Sequence, residues 1–453
     1  MAKIIPIYKK DSPLEPKNYR PISLISPAYK LFERALHSQM IKFCNDQNII
    51  FKDQHGFRKG RSTDTALNVL VENLNNYIGH NKFCPALFLD LSKAFDTVDL
   101  SILLTKLSHY GFSNEALSII YALICKRKIY VKVNDSYSNM KDISIGVPQG
   151  SVLGPFFFLI YINDFYKCLH NSNLIHYADD TLLYSVLDDI STAIDTLKFD
   201  LNSAHEWFNA NRLKLNIDKT QFMIFCSKNN FKTSNAKSRV LNFYNQAIKA
   251  SNTVNYLGII LDANLTFNEH VSKVCRKVSQ KLGSLSNIKF LLPMKVRKVI
   301  YSSLILPNLF YCINVWSHAT ASTLKRLTIV FNRICRNILL IKKRDMSTEQ
   351  LYTELGWLNL HQQIEFELAV VAYKYIHNLI SYEITYPPFI HEITPYPLRT
   401  NDNFRLPFNN NSFHRQTIMY RSSLIWNNLP GLVKGQNSLS SFKKHLKLFI
   451  QGK

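Results

Sequence analysis

The sequence predicts an α+β chain in three parts, and three observations predict it. Residues 1–262 mix strand-like and helix-like patterns, residues 263–345 turn helical and basic, and residues 346–453 form a mixed, aromatic-rich region with Pro387, Pro388, Pro395 and Pro397. In the first part, Thr63 opens an amphipathic helix whose apolar positions Ala66, Leu67, Leu70, Val71, Leu74, Tyr77 and Ile78 recur three or four apart. Residues 86–91 are a short apolar run carrying Asp90 near its end, which reads as a buried strand. Residues 173–186 read as strand, tight turn, strand, with the acids at the turn. Ile190, Ala193, Ile194, Leu197, Leu201, Ala204, Trp207 and Phe208 mark a second helix. Residues 219–225 and 254–261 read as strands, and the polar stretch 227–239 between them as an exposed loop. In the second part, one helix face is Val271, Val274, Val278, Leu282 and Leu285, and another is Leu324, Leu327, Phe331, Ile334 and Ile338.

Composition narrows the function classes. A 46% hydrophobic content is too high for a disordered tail, and 13 Gly and 16 Pro are too few for a low-complexity chain. The greasiest run, residues 152–162, is too short to span a bilayer, and the N-terminus has no apolar segment with a small-residue cleavage site. An intracellular protein, nuclear or cytoplasmic, with no membrane partner is expected. No two of the eight cysteines form a CxxC pair, so a zinc knuckle is not expected and reduced core thiols are. The formal net charge of +23 favours polyanionic partners. Between residues 263 and 344 stand fifteen Lys and Arg and one acid, Glu269, with the cations between the apolar helix positions. A solvated face normally mixes signs, so this segment is read as a nucleic-acid contact surface, with Lys273, Arg276, Lys277 and Lys281 as its first candidates.

The strongest chemical signal is the pair Asp179-Asp180 at a turn between apolar strands, with no Lys or Arg between Lys167 and Lys198. Adjacent carboxylates repel, and a divalent cation relieves that repulsion; oxygen donors without His or Cys suit Mg²⁺. Asp90, at the end of a strand, could converge with the pair, and three carboxylates can hold two such ions. An Asp near a strand-to-helix turn can equally be a cap, a role open to Asp96 or Asp99. A third segment, Gly146-Val147-Pro148-Gln149-Gly150-Ser151, reads as a rigid turn whose backbone can approach a ligand.

Taken together these segments resemble the reverse transcriptases of non-LTR (LINE-type, Jockey-like) retrotransposons. The resemblance is carried in order by Ile5-Pro6-Ile7-Tyr8-Lys9-Lys10, Asn18-Tyr19-Arg20-Pro21-Ile22-Ser23-Leu24, Gln54-His55-Gly56-Phe57-Arg58, Leu89-Asp90-Leu91-Ser92-Lys93-Ala94-Phe95-Asp96, the 146–155 segment, Tyr177-Ala178-Asp179-Asp180, Leu213-Lys214-Leu215-Asn216-Ile217-Asp218-Lys219-Thr220 and Tyr256-Leu257-Gly258. It implies a right-hand polymerase fold: fingers and an antiparallel palm over 1–262, a helical thumb over 263–345, and a C-terminal region of unknown role over 346–453. It also implies roles. Asp90, Asp179 and Asp180, with the Leu91 carbonyl, would hold two Mg²⁺ ions, or Mn²⁺ in their place. Phe95 would be the sugar gate, and Gln149 would lie beside the incoming nucleotide and template base. Arg20 and Lys9 would meet the triphosphate, and Lys219 the leaving pyrophosphate. Tyr256, Leu257 and Gly258 would grip the primer. The implied partners are an RNA template, a DNA primer or target, and dNTPs.

The pattern departs from the family in one respect. Met1 falls almost on the first fingers motif, so an N-terminally truncated copy without an endonuclease domain is expected. A nucleic-acid-binding remnant that no longer catalyses is the alternative reading. An RNA-templated RNA polymerase is disfavoured by Phe95, and a metal-dependent nuclease would need neither the 146–155 segment nor the Tyr256 hairpin.

Overall fold

The computed structural model describes residues 2–125, 127–244, 246–380, 386–393, 402–407 and 411–452; Met1, Pro395, Pro397 and Lys453 lie outside the described residues. Its strands in chain order are β1 (Ala2–Tyr8), β2 (Tyr19–Leu24), β3 (Cys84–Leu89), β4 (Arg127–Val133), β5 (Ser136–Tyr137), β6 (Lys141–Ile143), β7 (Asn173–Tyr177), β8 (Asp180–Tyr184), β9 (Gln221–Phe225), β10 (Val240–Phe243), β11 (Gln246–Lys249), β12 (Thr253–Tyr256) and β13 (Ile259–Asp262). The N-terminal half also carries helices α1 (Pro27–Asp46), α2 (Thr63–Gly79), α3 (Leu100–His109), α4 (Asn114–Ile124), α5 (Leu153–Ile162) and α6 (Ile190–Ala210).

Four strands form a central antiparallel sheet in the order β7-β8-β3-β9. Every residue of β3 is buried, because the sheet is covered on both faces. Successive β3 side chains serve different cores: Ala86 and Phe88 pack with α2, and Leu87 and Leu89 with α5 and α6. The run 152–162 that was too short for a membrane is largely α5, buried all round. Among the described residues no helix is long and apolar enough to cross a bilayer. A second sheet, β2-β1-β4-β5 with β6 on β4, carries the first two motifs; β1 pairs antiparallel with β2 and parallel with β4.

After β13 the chain is helical, with long helices at Asn268–Ser286, Met294–Leu304 and Ala321–Leu339, followed by Leu360–Ile376, Ile418–Asn427 and Leu439–Gln451. One hydrophobic core runs from α2 and the sheet through Val271, Leu327 and Phe331 to Leu368, Trp426 and Leu446. The boundaries drawn at 262 and 345 therefore do not separate independent cores. The expected loop at 227–239 instead contains the helix Lys228–Thr233 and a 3₁₀ turn at Ala236–Ser238. Ser227 caps the helix by accepting from the Asn230 N–H, and Ala236 and Phe231 pack inward, which a polar-composition reading overlooks. The expected strand at 254–261 is a hairpin: β12 pairs with β13 around Leu257 and Gly258, both at positive φ.

Candidate active site

The site is built on the ends of β3 and β8. Leu89 is paired with Thr181, so Asp90, just past β3, stands beside Asp180 at the start of β8. Tyr177 pairs with Asp180, leaving Ala178 and Asp179 as a two-residue turn with Ala178 at φ 57°. A buried side chain from elsewhere secures this turn. The Gln54 carbonyl oxygen accepts from Ala178 N–H (3.0 Å) and Gly56 N–H (2.8 Å). The flanking backbone adds His55 N–H to His176 O and His176 N–H to Asp53 O. Gly56 is required here: a Cβ at that position would lie 2.3 Å from Ala178 N.

Burial and neighbouring charge raise both members of the aspartate pair. Burial, then Asp179 and Asp90, push Asp180 up to about 6, although part of its side chain remains exposed to solvent. Burial, then Asp90, raise Asp179, and Arg20 and Lys9 offset that in part. The charge compensation missing from the local sequence thus comes from distant segments. The Lys219 ammonium stands 3.8 Å from Asp90 Oδ2. Its loop is tied to the strand end by Asn216 N–H to Asp90 O (2.8 Å) and Ser92 N–H to Lys214 O (2.9 Å). These bonds flank the Leu91–Leu215 bridge, so the Leu91 carbonyl points away from Leu215, toward the side on which β8 lies.

Among the described residues no three His, Cys, Asp or Glu side chains are gathered into a ready metal cage. The donor set itself fits a hard divalent ion: carboxylate oxygens, with the proton affinity of Asp179 and Asp180 raised.

Phe95 is half-buried, stacked on Phe158 (4.5 Å between centroids) and edge-on to Phe57 (6.1 Å). Gln149 donates to Asp96 Oδ1 (2.8 Å), which gives Asp96 a positioning role, while Asp99 is the cap, accepting from Ser101 and Ile102 N–H. The 146–151 turn folds against its neighbours through Val147 N–H to Phe95 O and Ser23 N–H to Gln149 O. Gly146 and Gly150, at φ 75° and 107°, leave no room for a Cβ against Asp96 O and Ser23 O, each 2.7 Å away. Tyr256 is buried against Phe88 (5.2 Å), and burial, with Asp180 nearby, raises its phenol. Of the three hairpin residues, only Leu257 and Gly258 reach the surface.

The profile of the family described as reverse transcriptase (RNA-dependent DNA polymerase) matches residues 7–261, more than half of the chain. The chain belongs to the reverse transcriptase family. This reverse transcriptase is 30% identical over 353 residues to the probable RNA-directed DNA polymerase from transposon BS of Drosophila melanogaster, covering 75% of this chain and 38% of that protein. It is 27% identical over 395 residues to the RNA-directed DNA polymerase from mobile element jockey of the same species, covering 83% of this chain and 41% of that one. These relatives place it among the non-LTR retrotransposon enzymes; the chain spans about two-fifths of their length. An apo telomerase from Candida tropicalis is matched at a TM-score of 0.37 and 14% identity, over 54% of this chain and 51% of that chain, too distant to add to the assignment.

The chain exposes three of its four predicted nucleic-acid cations. On the Asn268–Ser286 helix, Val271, Val274, Val278 and Leu282 are buried, and Lys273, Arg276 and Lys277 are exposed. Lys281 is partly covered and donates to Leu304 O (3.0 Å). Arg297, another of the fifteen cations, is buried and donates to the carbonyls of Ile338, Lys289 and Leu292, so it is structural. Two functional positions escaped sequence reasoning. Gln54 lay inside a recognised segment without a role. Glu33, buried on α1, accepts from Ser151 Oγ (2.5 Å) and Val152 N–H (2.9 Å) and so anchors the 146–155 segment. Nothing local marks it among the acids of an amphipathic helix.

Proposed function

We propose that this chain is an RNA-directed DNA polymerase that adds dNTPs to a primer 3′-hydroxyl, with RNA as the template. The observation that carries the reading is the trio Asp90, Asp179 and Asp180: Asp90 stands at the end of the strand paired with β8, and its charge adds to burial in raising both Asp179 and Asp180, in a chain of this family. They, with the Leu91 carbonyl, would hold two Mg²⁺ ions, or Mn²⁺, which when bound lower the pKa of the primer hydroxyl and offset the charge of the pyrophosphate. The primer O3′ forms a bond to the α-phosphorus as the bond to the bridging oxygen of the β-phosphate breaks. Lys219, on the Asp90 side, supplies a proton-bearing ammonium for the departing pyrophosphate. Arg20 and Lys9, which act electrostatically on Asp179, face the triphosphate. Phe95, held by Phe158 and Phe57, rejects a ribose 2′-hydroxyl by occupying its space, and Gln149, held by Asp96, borders the new base pair. Leu257 and Gly258 hold the primer end, with Tyr256 buried beneath them as support, and Lys273, Arg276 and Lys277 meet the duplex backbone without reading sequence, with Lys281 partly covered at their edge. These substrates assign it an intracellular site of action, nuclear or cytoplasmic.

The test is primer extension on a primed RNA template. The double variant Asp179→Asn, Asp180→Asn is expected to lose dNTP incorporation while keeping template binding; normal incorporation by that variant would sink the assignment. Phe95→Val is expected to admit rNTPs, and unchanged rNTP rejection would remove the gate role. Tight duplex binding with no extension by the unsubstituted chain would leave the binding-remnant reading.

A further inference from the structure

Residues 346–453 contribute no group to the chemistry proposed above, yet they are joined to the site by an unbroken series of contacts. Glu72, buried midway along α2, accepts from the N–H of Ile418 (2.6 Å) at the start of the Ile418–Asn427 helix. A carboxylate at a helix N-terminus is favourably placed, and this bond joins residues 346 positions apart. One turn further, Arg421 approaches the same carboxylate and donates to Asn314 O (3.2 Å) and Ser317 Oγ. Asn314 and Ser317 belong to the base of the thumb. There the fully buried Trp316 donates its indole N–H to Tyr311 O (2.9 Å). The Tyr311 hydroxyl donates to the Leu257 carbonyl (2.9 Å) and lies 2.8 Å from Thr63 Oγ1 at the start of α2. Its ring closes over the turn, 3.2 Å from where a Gly258 Cβ would sit. The series therefore begins and ends on α2 and passes through the hairpin turn.

We propose that the Ile418–Asn427 helix is a positioning element for the Leu257–Gly258 turn. Arg421 fixes the thumb base, the thumb base fixes Tyr311, and Tyr311 fixes where the turn meets the end of a bound duplex. Arg421 is a positioning residue, remote from the reacting atoms. The identity of the duplex, RNA template with DNA primer, rests on the polymerase reading.

The experiment compares the full chain with Arg421→Met, Arg421→Lys and Ser317→Ala, using a fluorescent RNA–DNA duplex with a single-stranded RNA overhang. Arg421→Met is expected to raise the duplex Kd about tenfold, with the KM for dNTP at saturating duplex unchanged and Arg421→Lys recovering most of the loss. A purely structural Arg421 would lower the melting temperature and the active fraction while the folded protein kept its duplex Kd, and that result would overturn the proposal. Should Arg421→Met fail to fold, Ser317→Ala is expected to weaken duplex binding about threefold, and an unchanged Kd in that folded variant is equally fatal. Duplex binding by the unsubstituted chain without extension would remove the polymerase reading but leave this test intact, because the test is read from Kd. Absence of duplex binding would remove both.

Discussion

Burial, then Asp179 beside it and Asp90 across the sheet, push Asp180 from its ordinary 3.8 up to about 6 in the folded chain. The folded state therefore holds the proton more tightly than the unfolded state. Stability of the metal-free protein falls as pH rises through that window, and stays lower above it. Asp180→Asn removes the burden, so its melting temperature in chelator is expected to exceed that of the unsubstituted chain at about pH 8, with the gap closing by about pH 4. Differential scanning fluorimetry at the two pH values measures this; an equal or lower melting temperature at the higher pH contradicts the carboxylate repulsion. Extension activity should fall as pH drops through about 6, because protons then compete with the cation for the same oxygens. At this scale the sequence was readable where chemistry is local. Two adjacent acids between apolar runs announce themselves. Gln54 does not, because its carbonyl acts on Ala178, 124 residues away, and no spacing rule links the two.

At the scale of elements, the Asn268–Ser286 helix shows how a composition count divides on folding. Lys273, Arg276 and Lys277 project to solvent, whereas Arg297 on the next long helix is spent on three carbonyls. Converting Lys273, Arg276 and Lys277 to Gln is expected to weaken duplex binding uniformly across sequences and to flatten the slope of log affinity against log salt by about 2 to 3. Arg297→Met should cost stability, about 2–4 kcal/mol, and leave that slope alone. Binding titrations at several salt concentrations separate the two. The periodicity of this helix was legible because its apolar face is regular. The 227–239 helix was not, since its ordering depends on Ser227 as a cap and on Phe231 finding a core built from distant strands. The 254–261 hairpin was visible from the resemblance but not from the apolar pattern, which reads as one strand, because Leu257, the non-glycine half of its turn, gives no sign that its backbone will adopt positive φ.

For the whole molecule, the three-part division describes the sequence better than it describes the packing. The core that begins on α2 ends on Leu446 and Ile450, and Glu72 accepts from the N–H groups of Ile418 and Met419, with Arg421 close by. A chain ended at residue 345 is therefore expected to expose the faces of α2 and of the Ala321–Leu339 helix and to aggregate, whereas residues 1–452 remain soluble; soluble yield and limited proteolysis report the outcome. A cooperative, protease-resistant 1–345 fragment would show that the core divides after all. The role of the last hundred residues was illegible because their partners lie on α2, more than three hundred positions upstream, where neither composition nor periodicity reaches.

That arrangement also has a consequence in time. A ribosome working at about 5–20 residues per second needs roughly 20–70 seconds to travel from Glu72 to the helix that satisfies it. Throughout that interval α2 is synthesised but the Glu72 carboxylate is met by water, and the α2 face that Ile418 and Met419 cover stays open. Final packing of residues 63–79 is therefore expected to wait for the end of the chain, so that nascent fragments ending before residue 418 are cleaved by protease at α2.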